Sequence, residues 1–255
     1  MIESQFHILR NTLPLFESSI NKFCDVLEKP IWSQDQNEGQ PRYKNPHSGH
    51  FQLLMAVKIV STLNAILCLL KEGHVQEVGA LLRIIDECNA KICCMEEAHN
   101  KTLSSVHEEI INGYFKYDIR SANDILEQKK WWVSMREVFA SQTRFLSEGT
   151  PNKDVHGIQQ NIQGIYDVHT GYVHGFYPHI MELYDYNIKS FKLNGILDEP
   201  RHGEMMRAVS SAISRSFNTF AQISTRFGLS DLRNELIKSR DIFHESEAYK
   251  EGQSS

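Results

Sequence analysis

Between His50 and Lys71 nearly every position is apolar; the exceptions are a narrow stripe of Lys58, Ser61 and Thr62, with Asn64 beside it. A helix that is apolar around most of its circumference is a central one, packed on several sides. Gly73 follows, where a left-handed cap costs glycine little. From about Val75 to Glu97 a second helical pattern carries Val78, Leu81, Leu82, Ile85, Cys88, Ile92 and Met95 on one face. The short connection makes the two segments antiparallel neighbours, and this hairpin is the expected foundation of the fold.

The remaining elements follow from the same periodicity. Leu9, Leu13, Phe16, Ile20, Phe23 and Leu27 form an amphipathic stripe. Pro14 belongs in a first turn, so the regular helix starts near Thr12 and ends at Pro30. Gln34 to Gly49 is polar, contains Pro41 and Pro46, and reads as a long loop. Ser105-x-x-Glu108 is a capping box, and Ser121-x-x-Asp124 opens a further helix carrying Trp131, Trp132, Val138 and Phe139. Helical character returns from Asp154 to about Tyr166; beyond it, Gly171, Gly175 and Pro178 argue against a continuous helix. Asn194-Gly195, flanked by Ser190–Leu193 and Ile196-Leu197, is a type I′ hairpin signal. Pro200 opens a long helix with Met206, Val209, Ile213, Phe217 and Phe220 on one face, closed by Gly228, and Ser230 caps a last helix. The expected fold is therefore all-α: an up-and-down helical bundle with one short β-hairpin insertion. It is read as a single helical domain over 1–255, with an N-terminal helix and loop (1–49), a core bundle (50–228) and a C-terminal helix and tail (229–255).

The formal charge of -5 gives no bulk attraction to nucleic acid, and there is no DNA sequence-reading motif. No uninterrupted apolar run approaches the roughly 20 residues a bilayer demands, and the N-terminus lacks a basic region followed by an apolar one. The chain is expected in the cytoplasm, away from membranes. Its five cysteines contain no Cys-x-x-Cys pair, and all are expected to be free core thiols.

Two segments carry chemistry. Arg83 and Glu87 are four apart on a helix face that also holds Gly79, Ala80 and Ala90, small residues that admit a neighbouring helix. The simplest reading is an intrahelical ion pair; the alternative is a site. The second segment is Tyr166 to His179, in which His169, His174 and His179 recur every five residues. On one helix that spacing turns each side chain by about 140° from the last, so they do not share a face. Zinc ligands are normally two to five residues apart with a second distant set, which is not the pattern here. Glu96-x-x-His99 has the spacing of a di-iron bundle motif but no second copy. No metal and no cofactor are expected. Lys129-Lys130 before Trp131-Trp132 fits a helix contact better than a base-stacking patch.

The pairing of Leu-Leu-Arg-Ile-Ile-Asp-Glu (81–87) with Tyr-Val-His-Gly (172–175) resembles bacterial helical proteins of the HEPN-like kind, among them relatives associated with abortive infection and toxin–antitoxin systems. The resemblance spans roughly His50 to Phe227 by the order of its elements, on short motifs. It implies a helical bundle, often a homo-oligomer, and in active members metal-independent RNA cleavage by an Arg-x4–6-His motif. There the histidine moves protons and the arginine steadies the phosphate. His174 matches the histidine; the arginine position falls at Asp167, Val168 or His169, none of which is arginine. Two readings follow. One is a defence or toxin–antitoxin component acting on RNA, an endoribonuclease whose site gathers His174, His169 and Tyr172 against Arg83 and Glu87. The other is a non-catalytic helical module that dimerises or docks a protein partner.

Overall fold

The structure is a computed structural model that describes residues 2–33, 40–101, 105–116, 135–148, 155–197 and 199–246. The N-terminal stripe forms two helices, α1 (Ile2–Asn11) and α2 (Leu13–Val26), broken at Thr12, whose hydroxyl donates to the Leu9 carbonyl at 2.7 Å. Pro14 sits in the first turn of α2 as expected. The segment read as one long loop contains a strand: β1 (Ile31–Ser33) pairs antiparallel with β2 (Gln40–Arg42), with Trp32 opposite Pro41. A three-residue pairing of this kind escapes periodicity, and Pro41 is tolerated because the strand is an edge.

α3 (Ser48–Lys71) starts two residues before His50, with His47 as its cap; the His47 Nδ1 accepts from the Gly49 N–H at 3.1 Å. It is the central helix, packed against α2, α4 (Val75–Lys101) and α9 (Pro200–Arg226), with Phe51, Ile59, Leu63, Ile66 and Leu70 buried. By length and composition it is the one described helix that could cross a membrane, and 56% of its most apolar 18-residue window is buried inside the protein. Phe16 of α2 meets Phe217 and Phe220 of α9 at 4.7 and 4.8 Å between ring centroids. α10 (Ser230–Glu245) closes the bundle over α9 through Leu232, Leu236 and Phe243.

α5 (Ser105–Lys116) begins at Ser105, the expected helix start. α6 (Met135–Glu148) carries Val138 and Phe139; the start of the helix expected from Ser121, with Ser121, Asp124, Lys129, Lys130, Trp131 and Trp132, lies outside the described residues. α7 (Val155–His174) packs on α4 and α6 and runs unbroken through Gly171. That glycine is not a breaker: a Cβ there would stand 2.2 Å from the His179 ring, so it exists for close approach. The helix ends where Gly175 turns to φ +59° and the Phe176 N–H reaches back to the Gly171 carbonyl at 3.0 Å. α8 (Tyr177–Met181) follows.

The bundle is all-α apart from two tiny two-stranded sheets among the described residues. The second sheet corrects the hairpin expected at Asn194-Gly195. It pairs β3 (Tyr184–Asp185) with β4 (Ser190–Phe191), and its turn is 186–189. Asp185 builds that turn by accepting the Asn187 and Ile188 N–H groups at 2.8 and 3.3 Å, and Lys189 takes the left-handed conformation. Gly195 does have a positive φ of +95°, but for another reason. It lies against the α3–α4 corner, where a Cβ would be 2.1 Å from the Glu72 carbonyl oxygen, and the Ile196 N–H donates to the Gly73 carbonyl at 2.8 Å.

Candidate functional site

α4 and α7 carry the five residues assigned to the candidate site, Arg83, Glu87, His169, Tyr172 and His174, and they lie against each other. Gly79 faces Tyr172 while Asp86 meets His169, so the two helices run antiparallel. Gly79 permits the approach: a Cβ there would be 2.5 Å from two atoms of the Tyr172 ring.

The five residues do not converge on one centre. Arg83 donates through Nε to Glu87 Oε1 at 3.1 Å and through Nη2 to the Tyr166 hydroxyl at 2.5 Å, with its guanidinium 4.6 Å from the Tyr166 ring centroid. Lys91 approaches the other Glu87 oxygen at 3.8 Å. The expected ion pair is present, and Tyr166 is its unanticipated third member. A pair of this exposure contributes on the order of half a kcal/mol, so its main effect is to fix side-chain positions.

His169 belongs to a different, buried group. Its Nδ1 lies 2.6 Å from Asp86 Oδ2, while Arg215 of α9 donates to Asp86 Oδ1 at 2.7 Å. Burial alone would raise the Asp86 carboxyl, but the Arg215 charge and the His169 hydrogen bond outweigh it and hold the group below its ordinary value. Asp86 stays ionised and ties three helices, α4, α7 and α9, together.

Tyr172 enters a third network. Its hydroxyl donates to Glu182 Oε2 at 3.1 Å and accepts from Arg201, which also bonds Glu182. Gln76 adds bonds to the His179 carbonyl at 2.6 Å and to Glu182 at 3.1 Å. Burial, reinforced by the Glu182 charge, pushes the Tyr172 phenol well up, so it is a fixed hydrogen-bonding group and not an acid near neutrality.

His174 stands apart. It is the exposed last residue of α7 and stacks on Phe176, with ring centroids 6.1 Å apart. Arg83 is held at Tyr166, two turns earlier, which is about 12 Å along the helix axis. The rotation expected between His169 and His174 is visible in their burial, one inside and the other in solvent.

Glu97 is gripped by Arg144 at 2.6 and 3.0 Å and by Ser141, and Glu96 accepts from Gln52 at 2.5 Å, so both acids brace neighbouring helices. Among the described residues no group of three or more His, Cys, Asp or Glu is placed to hold a metal ion.

Asp86 stood in the quoted 81–87 run, but Arg215, Glu182 and Arg201 are separated from their partners by 129, 10 and 29 positions in hydrogen-bonded pairs that no local pattern encodes. Beside Tyr166, a cleft of about 420 Å³ opens between α6 and α7. No protein-family model, curated protein or solved structure matches the chain.

Proposed function

We propose that the chain is a HEPN-like helical module of the cytoplasm that docks a second copy of itself through the surface formed by the end of α7, α8 and the β3–β4 hairpin. The observation that carries this is a run of exposed apolar side chains: Phe176 (51% exposed), Tyr177 (77%), Tyr186 (78%), Ile188 (63%), Phe191 (45%) and Leu193 (76%). Their exposed area, polar atoms included, sums to on the order of 900 Å², near the roughly 800 Å² per partner of a stable interface. Tyr184 links Tyr186 and Phe191 edge to face, at 5.1 Å each, into one aromatic ridge.

Charge supports a like partner. Lys192 is neutralised by Asp185 at 2.7 Å and by Glu199, and Glu182 by Arg201. Between Phe176 and Leu193 only Lys189 lacks an opposite charge among the described residues. A nearly neutral face meets its own copy across a two-fold axis with little repulsion. Two of the groups that cleavage would need are, by contrast, engaged: Arg83 with Glu87 and Tyr166, His169 with Asp86.

Light scattering on a sizing column tests this. The native protein should run at twice 29.4 kDa, and Tyr177→Asp with Leu193→Asp should run as a folded monomer. A native monomer at every concentration, or a dimer indifferent to both substitutions, overturns it. Cleavage of RNA is the second reading, favoured by the exposure of His174 beside Phe176 and Tyr177. RNA cut in the presence of a chelator by the native protein and left intact by His174→Ala would replace the docking module with a nuclease.

A further inference from the structure

The cleft between α6 and α7 lies away from the exposed hairpin and has a chemistry of its own. Its volume of about 420 Å³ falls within the range of small-molecule pockets. Its apolar wall is built by Phe139, Ile162 and Met135, and its polar groups are Arg136, Gln159 and Tyr166 among others. Among the described residues no carboxylate lines it.

Arg136 is what sets the cleft apart. The exposed Arg136 guanidinium at its rim has no ion-pair or hydrogen-bond partner among the described residues. Glu137 beside it is already engaged. Its N–H donors, beside a hollow of mixed polar and apolar lining, form a receptor for a carboxylate or phosphate, which arginine takes by two parallel hydrogen bonds. Tyr166 adds a donor: its oxygen accepts from Arg83 Nη2, so its own proton is left to give. Phe139 packs edge-on against Tyr166 at 4.7 Å between centroids, and Arg83 holds the phenol from behind, so this wall is already formed before any ligand arrives. The Gln159 amide is likewise uncommitted among the described residues.

We propose that the α6–α7 cleft binds a small organic anion, a carboxylate or phosphate carried on an apolar body, with Arg136 holding the oxyanion and Phe139 and Ile162 covering the body. The Arg83–Glu87 pair is thereby given a purpose that requires no contact with the ligand: it positions Tyr166.

Calorimetric titration with benzoate, phenyl phosphate and inorganic phosphate tests the site in the full chain. Benzoate or phenyl phosphate should bind, the better of the two identifying the anion. Arg136→Gln should weaken that binding by about tenfold or more, the loss of a charge-assisted pair of bonds. Arg136 is exposed, so the variant should keep the native circular dichroism spectrum. Tyr166→Phe, which keeps the ring, should weaken it less. Failure of both aryl anions to bind overturns the proposal, as does binding unchanged by Arg136→Gln. Inorganic phosphate binding as tightly as phenyl phosphate also overturns it, because the apolar wall would then contribute nothing.

Discussion

Replacing Gly79 with alanine sets two opposed effects against each other. In the interior of a helix alanine is favoured over glycine by about 1 kcal/mol, so without a neighbour Gly79→Ala would stabilise the protein. The structure puts a neighbour there: the new Cβ would meet three atoms of the Tyr172 ring at 2.5, 2.5 and 2.9 Å. Carbon atoms rest about 3.5–4.0 Å apart, so the ring must retreat by about 1 Å. The atoms struck are near the root of the side chain, and its hydroxyl is fixed by Glu182 and Arg201, so rotation gives no escape. Helix α7 must move, and overpacking of this kind costs about 1–3 kcal/mol. Since Tyr172 is anchored at both ends, the upper part of that range applies, and the net expectation is a loss of about 1–2 kcal/mol after the helix gain is subtracted. Urea denaturation, comparing midpoints at constant slope, reads this directly. The double variant with Tyr172→Ala isolates the contact: in that background Gly79→Ala should become stabilising by about 1 kcal/mol. A stabilised single variant, or a cycle with no coupling, would refute the close approach of α4 and α7.

Leu82 is fully buried on α4, so Leu82→Ala should cost about 2–5 kcal/mol by chemical denaturation, and a loss under about 0.5 kcal/mol would show that its face is not core. Asp86→Asn should cost about 3 kcal/mol near neutrality, because it leaves Arg215 without its buried counter-charge and weakens the hydrogen bond to His169. The folded carboxyl is held below its ordinary value, so its stabilisation is complete above about pH 4 and is lost as pH falls through the folded value. The gap between native and Asp86→Asn proteins should therefore narrow from pH 7 to pH 3, and a constant gap would refute the ion pair. Thiol titration should find five free thiols after unfolding. In the folded protein exposed Cys68 should react first, while Cys88 and Cys93, pushed by burial up to about 11 and about 12, wait for unfolding. Fast reaction of all five in the folded state would contradict the packing of α4.

The α3–α4 hairpin was readable because periodicity and the Gly73 cap are local signals, and the α4–α7 contact was foreshadowed by Gly79 and Ala90. Glycine was also where reading failed. Gly171 looked like a helix breaker and Gly195 like a turn, yet each is there because another segment comes too close for a side chain. A glycine kept for a local φ and one kept for a distant neighbour look alike in sequence. The hairpin turn itself was signalled by Asp185, whose side chain caps it, but less loudly than by Asn194-Gly195. Of the candidate site, the Arg83–Glu87 pair was legible from spacing. The partners that separate His169 from Tyr172, namely Asp86 with Arg215 and Glu182 with Arg201, arise only when three helices have been brought together.

The corner at Gly73 has a consequence for the surface it supports. One end of the 179–196 segment is fastened to α4 by Gln76, through the His179 carbonyl and Glu182, and the other end by Ile196 on the Gly73 carbonyl. Both fasteners are within one turn of the same helix start, so the segment is a closed loop on a rigid base. The aromatic ridge that it displays has therefore already given up its backbone freedom when the chain folds. A partner that landed on it would meet little further backbone-ordering cost, and the same exposed rings on an untethered loop would bind it more weakly.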